Sequence, residues 1–450
     1  MFAQNNTPQP LALVAEQWAF EPGSVEFSQE AGTPTMHLPP DAGKVVAKNL
    51  DFSDGTIEFD VKPRTMTFCF RYQDAYEHEC FYFRMARAGT PEALQYAPVI
   101  DGVLMWDIYP HYQSQAAIAT GEWNHVKLVI SGAQMRLYIN HPAQPTLEVD
   151  RLAGNPGQGT IAFEGDMVVS NLVITPGETE GLASSPGIDP TRNDARYIRC
   201  WAVSDPVAVP EEVDFSDDLL PNPDTPWRIL KTERRGLINL TRTFGSNPTR
   251  SIVWLKVKIE SAQAQSKNMR LGFVDDLWVF LNGQLVYLDK NWQGRLMEKV
   301  PGGRCSIENT SFTLPLKEGT NELLVGLAND NAWGRGAVAR LDDTEGIELA
   351  PAPTFDVRLG EVSESTVSSY VGTYQLPNGK KISLRVEDQI LVLSGGNNFF
   401  TTSLYPEDEH TFFSRKYDLE VKFIENLKSK VTHFVVYNQG QQMLEAKRLK

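Results

Sequence analysis

Between residues 124 and 140 the chain alternates apolar and polar positions. Asn124, Val126, Leu128 and Ile130 interleave with His125, Lys127 and Val129; Ser131-Gly132 interrupts; Met135, Leu137 and Ile139 then interleave with Arg136, Tyr138 and Asn140. A period of two marks half-buried strands, and the short Gly-containing break predicts a β-hairpin. Short runs rich in aromatic and β-branched residues surround it: Thr56–Val61, Met66–Tyr72, Cys80–Arg84, Val103–Tyr109 and Met167–Ile174, with Gly, Pro or Asp between them. Closely spaced strands of this kind predict a two-sheet sandwich over residues 1–175.

Residues 176–194 are rich in Gly, Pro, Ser and acids, have no periodicity and read as a linker. A second β-rich unit is expected over 195–349. There Ser251–Glu260 alternates, Leu277–Leu288 is a hairpin turning at Asn282-Gly283, and Phe312–Leu316 and Leu323–Leu327 follow. Residues 350–365, with Pro351 and Pro353, read as another linker, and 366–450 as a small antiparallel β-domain or barrel. The expected class is all-β: two jelly-roll sandwiches followed by a small C-terminal β-unit.

Three stretches resemble known families. Trp123, Val126, Leu128, Ile130 and Leu137-Tyr138-Ile139-Asn140 resemble the closing hairpin of laminin-G and concanavalin A-like jelly rolls, in a sugar-hydrolase-like variant. The Asn282-Gly283 hairpin, with Phe312–Lys317 and Gly319-Thr320-Asn321, resembles the galactose-binding-like jelly rolls that accompany glycoside hydrolases. Tyr370, Gly372, Tyr374 and Phe412-Phe413 resemble the small β-domain appended to serine β-lactamase-like proteins. The first two resemblances imply carbohydrate binding; the third implies architecture only.

Composition narrows the setting. A chain of 450 residues is long enough for several domains, and 41% hydrophobic with 10% aromatic content supplies real cores. A net charge of −15 argues against nucleic acid or an anionic membrane as partner. No apolar run reaches the ~18 residues of a membrane-spanning helix. Phe2-Ala3-Gln4 reads like the residues flanking a signal-peptidase cut, so a secreted or periplasmic location is expected, with a cytosolic start as the alternative. Cys69 and Cys80 flank a turn symmetrically and could bridge in an oxidising compartment, whereas Cys200 and Cys305 read as buried thiols. No zinc-type spacing occurs.

Candidate chemistry is mainly recognition. A retaining jelly-roll glycosidase needs two carboxylates ~5 Å apart. The nearest match, Glu58-Phe59-Asp60-Val61-Lys62-Pro63, has Pro63 where the further Glu belongs, leaving Glu58 and Asp60 as weak catalytic candidates. Ser-x-x-Lys, Lys-Thr-Gly and Gly-x-Ser-x-Gly are absent. Sugar binding requires only aromatic faces and planar polar groups. Strand parity places Arg71, Tyr82 and Arg84 on one outer face, with Trp106, Tyr109 and His111 at its rim. In the second unit the loops carrying Trp292 and Arg295, and Asn329, Trp333 and Arg335, have the same composition. Asp275-Asp276, Asp330 and Asp342-Asp343 are candidate oxygen ligands for Ca²⁺. The leading expectation is a noncatalytic carbohydrate-binding protein; a glycoside hydrolase and a scaffold with a protein partner are the alternatives.

Overall fold

The computed structural model describes residues 7–140, 143–210, 214–246, 249–329, 333–351, 362–387, 390–395, 401–406, 409–414, 419–426, 430–438 and 441–449. The chain is all-β, built of four open sheets and one closed barrel.

Two sheets make the first sandwich. In one, Gly55–Pro63 lies between Asn124–Ser131 and Met167–Pro176, and Asn124–Ser131 also pairs with Gln134–Ile139. Val126 opposite Phe59 and Leu128 opposite Ile57 face inward, while His125 opposite Asp60 and Lys127 opposite Glu58 face out. The other sheet includes Met66–Tyr72, His78–Phe83 and Leu94–Ile100. Rings from both sheets interlock: Phe59 lies 5.0 Å from Phe68 and 5.2 Å from Phe163, and Phe68 lies 5.4 Å from Phe81. Each such ring contributes roughly 1.5–3 kcal/mol by burial. The expected hairpin is present. Its turn requires Gly132, which has φ 50°, and a Cβ there would stand 2.2 Å from the Ser184 carbonyl oxygen.

Ser184 belongs to the segment that reads as a linker. That segment lies against the first sandwich: Glu178 O accepts from Thr56 Oγ1 at 2.6 Å, Ser184 O accepts from Ala133 N at 2.8 Å, and Leu182 packs with Val129 and Tyr138.

The second sandwich pairs Ser251–Ser261 with Gly319–Asn329 and runs on through Asp275–Leu281 and Gln284–Asn291. Asn282 and Gly283, at φ 52° and 78°, make the tight turn their sequence demands. The facing sheet is Leu237–Asn239, Gly336–Leu341, Gln265–Phe273 and Thr310–Leu316. Tyr197, Leu237, Val274, Cys305 and Val338 extend the first sandwich's apolar core, so the two sandwiches meet along a buried seam.

The C-terminal strands close into an eight-stranded up-and-down barrel. Ser363 caps the short helix Glu364–Tyr370 by accepting from Thr366 N at 3.1 Å. Tyr370, at the end of that helix, is fully buried and stacks on Phe423 at 4.0 Å, and its carbonyl accepts from Tyr374 Oη at 2.9 Å. Phe412, Phe423, Phe434 and Tyr374 fill the interior around it. The side chain of Phe413 lies outside the described residues.

Candidate functional site

The seam is organised by the residues after Val103–Leu104. The expected strand to Tyr109 stops at Leu104, where the chain leaves the sheet and buries Trp106, Asp107, Ile108 and Tyr109 against the second sandwich. Asp107 grips two loops at once: its Oδ1 accepts from Gly334 N at 3.0 Å and its carbonyl from Cys305 N at 2.8 Å. Burial raises its carboxyl well above the usual carboxylate range.

At one end of the seam charge meets charge. Tyr109 Oη donates to Glu233 Oε2 at 2.8 Å and accepts from Asn239 Nδ2 at 3.2 Å. Arg242 Nε donates to Glu233 Oε1 at 2.6 Å and Nη1 to Asn155 Oδ1 at 2.7 Å, while Nη2 bonds Ala153 O. Arg234 bonds Asp150 and Gly187 O. Behind them Glu79, fully buried, accepts from Tyr96 Oη at 2.5 Å and Gly154 N at 3.1 Å; burial pushes its carboxyl up to about 7. His111 packs on Tyr112 at 4.0 Å and is pulled down to about 3, first by burial and then by Arg235 and Arg234. Both Tyr109 and His111 are therefore committed to the seam.

The other end is built differently. Arg84 Nη2 donates to Tyr82 Oη at 2.8 Å and also bonds Gln95 Oε1; Arg84 Nη1 donates to Glu92 O at 3.2 Å. Gln95 Nε2 donates to Trp106 O at 2.6 Å, which fixes the amide. Two guanidiniums sit on the Trp106 indole, Arg304 at 5.0 Å and Arg84 at 5.9 Å. Arg304 Nη2 reaches Glu92 Oε2 at 3.5 Å and Nη1 donates to Pro301 O at 3.2 Å; among the described residues its Nε has no partner, and its side chain is only 3% exposed. Trp333 packs edge-on against Trp106 at 6.0 Å and is 41% exposed. Here Tyr82, Arg84, Trp106 and Trp333, expected as parts of two separate sites, come together.

The remaining candidates lie elsewhere. Arg71 sits at a bulge, with φ 46°; the register slips between Thr160 and Ala162, which turns Tyr72 to the Cys69 side. Its guanidinium is spent on Ser53 O, Asp54 Oδ1 and Gly132 O. The Trp292 ring carries Lys290 at 4.5 Å and Arg295 at 5.4 Å, and its Nε1 donates to Asp276 Oδ1 at 3.0 Å. Asn329 and Arg335 are buried; Arg335 Nη2 donates to Ser251 O at 3.0 Å, and desolvation lowers its guanidinium to about 10. Glu58 and Asp60 share the open outer face of the first sheet with His125, whose ring nitrogens lie 3.8 Å and 2.8 Å from them. Asp60 also accepts from Asn171 Nδ2 at 2.7 Å.

Of the candidate calcium ligands, Asp276 pairs with Arg250, Asp342 with Arg270 and Asp343 with Lys267, while Asp330 lies outside the described residues. Among the described residues no three His, Cys, Asp or Glu side chains converge on one point. Cys69 and Cys80 are directly opposed across neighbouring strands, and both thiols are free. Among the described residues no helix is long and apolar enough to cross a membrane.

Glu92, Gln95 and Arg304 were not anticipated. Gln95 lies on Leu94–Ile100, a strand buried on both faces and therefore without alternation. Arg304 follows Gly302-Gly303 in a loop with no periodic signal.

No family model matches the chain, and no curated protein matches it. Among solved structures it is similar to the carbohydrate-binding module CBM66 from Bacillus subtilis, at 13% identity and a TM-score of 0.27, covering 35% of this chain and 93% of that one. A Bacillus subtilis protein of unknown function with a galectin-like fold gives 12% identity and a TM-score of 0.28, covering 36% and 89%. A Bacillus licheniformis β-glucanase gives 11% and 0.28, covering 38% and 98%.

Proposed function

We propose that the chain is a noncatalytic carbohydrate-binding protein acting outside the cytoplasm, and that its two sandwiches, residues 1–175 and 195–349, seat one glycan at the open end of their seam. The observation that carries this reading is the exposed Trp333 indole, braced edge-on by buried Trp106 beside the guanidinium of Arg84. An indole offers the apolar face of a pyranose a flat surface, and a planar guanidinium held by Tyr82 and Gln95 offers directed donors to its hydroxyls. Glycan-array screening followed by calorimetry tests it. Binding that Trp333→Ala weakens roughly ten- to a hundredfold is the expected result; no glycan bound by the intact chain overturns it.

Hydrolysis at Glu58 and Asp60 is the second reading, favoured by His125 standing between them. Aryl-glycoside cleavage lost in both Glu58→Gln and Asp60→Asn would establish it. Their place on the outer face, with the Glu58 and Asp60 side chains 40% and 29% exposed, favours the binding reading instead.

A further inference from the structure

The open end of the seam carries an unbalanced charge. Arg84 and Arg304 rest on one indole and converge on one residue, Arg84 on the Glu92 carbonyl and Arg304 on the Glu92 carboxylate. Among the described residues the other acceptors of Arg84 are neutral: Tyr82 Oη, Gln95 Oε1 and, at 3.5 Å, Gln113 Oε1. Among the described residues no carboxylate lies within ion-pair distance of Arg84. Arg304 is almost wholly buried with an orphan Nε, and its one carboxylate contact is long. Asp107, the acid that holds the Cys305 and Gly334 backbones, is kept toward its neutral form by burial and by the charge of Asp275. A buried cation without a full complement of acceptors is costly, and an incoming anion relieves that cost. In a chain whose net charge is −15, a local excess of positive charge beside an exposed tryptophan runs against the average surface.

From this imbalance we infer that the ligand of this site is an acidic, carboxylated glycan, a uronic-acid oligosaccharide, rather than a neutral one. The inference rests on the binding reading above and specifies it. Trp333 takes a sugar face, and the carboxylate lies toward the Arg84 guanidinium, whose fork matches it in geometry. Glu92, half-buried beside both arginines, is the group that the ligand carboxylate competes with or joins.

Calorimetry on the full chain tests this with polygalacturonate, polymannuronate and glucuronoxylan oligosaccharides, each beside the same preparation with its carboxyl groups reduced to alcohols. The expected result is that at least one acid form binds at least tenfold more tightly than its reduced form. Arg84→Gln should remove that preference, with a loss of roughly ten- to a hundredfold for the acid form and a smaller one for the reduced form. If Arg84→Gln fails to fold, Arg84→Lys keeps the charge without the fork. The wild-type chain then supplies a further readout: affinity for the acid form should fall between about 0.05 M and about 0.5 M salt while that for the reduced form holds. Equal binding of acid and reduced forms overturns the inference and leaves the carbohydrate reading standing. Binding of neither form here, together with an empty glycan array, overturns both.

Discussion

The two ends of the seam use the same residue types toward opposite ends. At the closed end Arg242 and Arg234 each find a carboxylate and further acceptors, and Tyr109 shares Glu233 with Arg242. At the open end Arg84 and Arg304 crowd one indole and one glutamate, and Arg304 keeps a nitrogen without a partner. The first arrangement fastens the two sandwiches; the second leaves charge beside a partly exposed ring, where we place the ligand. Local rules are satisfied where the interface is structural and left unsatisfied where we place function.

This contrast is open to direct attack. The largest effect is expected at the closed end, where Arg242→Met leaves Glu233 partly buried without its cation. Urea denaturation should show a loss of about 3 kcal/mol, with the glycan affinity of the folded protein unchanged; a lost affinity would show the two ends are coupled. Next comes pH. Glu79 titrates near 7 in the folded chain against an ordinary 4.5. Between those values the unfolded chain gives up a proton that the folded chain keeps, so stability should fall as pH rises, by up to about 3 kcal/mol by pH 8. Glu79→Gln should flatten that slope in melts recorded from pH 5 to pH 8; an unchanged slope would place the titration elsewhere. At the open end Trp333→Ala should weaken glycan binding roughly ten- to a hundredfold, about 1.4–2.8 kcal/mol, while the urea midpoint stays within error. A large loss of stability instead would make Trp333 a plug like Trp106. The smallest effect belongs to Glu92→Gln. Removing the competing carboxylate should tighten an acidic glycan about two- to threefold by calorimetry, and a loosening would mean that Glu92 positions the ligand itself.

Much of the architecture was legible before any coordinates. Period-two alternation marked Asn124–Ser131 and Gln134–Ile139, and Asn282-Gly283 marked its turn, because one buried face and a positive-φ pair leave a direct trace in composition. Leu94–Ile100 left no such trace, being buried on both sides. Parity failed at Arg71, where one residue at φ 46° bends the strand and sends the side chain toward Asp54. The site was half legible. Residue types named Tyr82, Arg84, Trp106 and Trp333, but their meeting depends on partners more than two hundred positions away, such as Arg304 with Glu92 and Gly334 with Asp107. Alternation is a local signal and carries no information about which ends of two sandwiches abut.

Asp107 makes the corner indivisible. One residue of the first sandwich anchors both Cys305 and Gly334, the immediate neighbours of Arg304 and Trp333. The alignment of the Arg304 guanidinium and the Trp333 indole therefore belongs to both sandwiches together, and neither half can be excised with that alignment intact. Changes in the length of Met105–Tyr112 would shift both partners together, so a single edit in this short loop should alter the binding surface we propose.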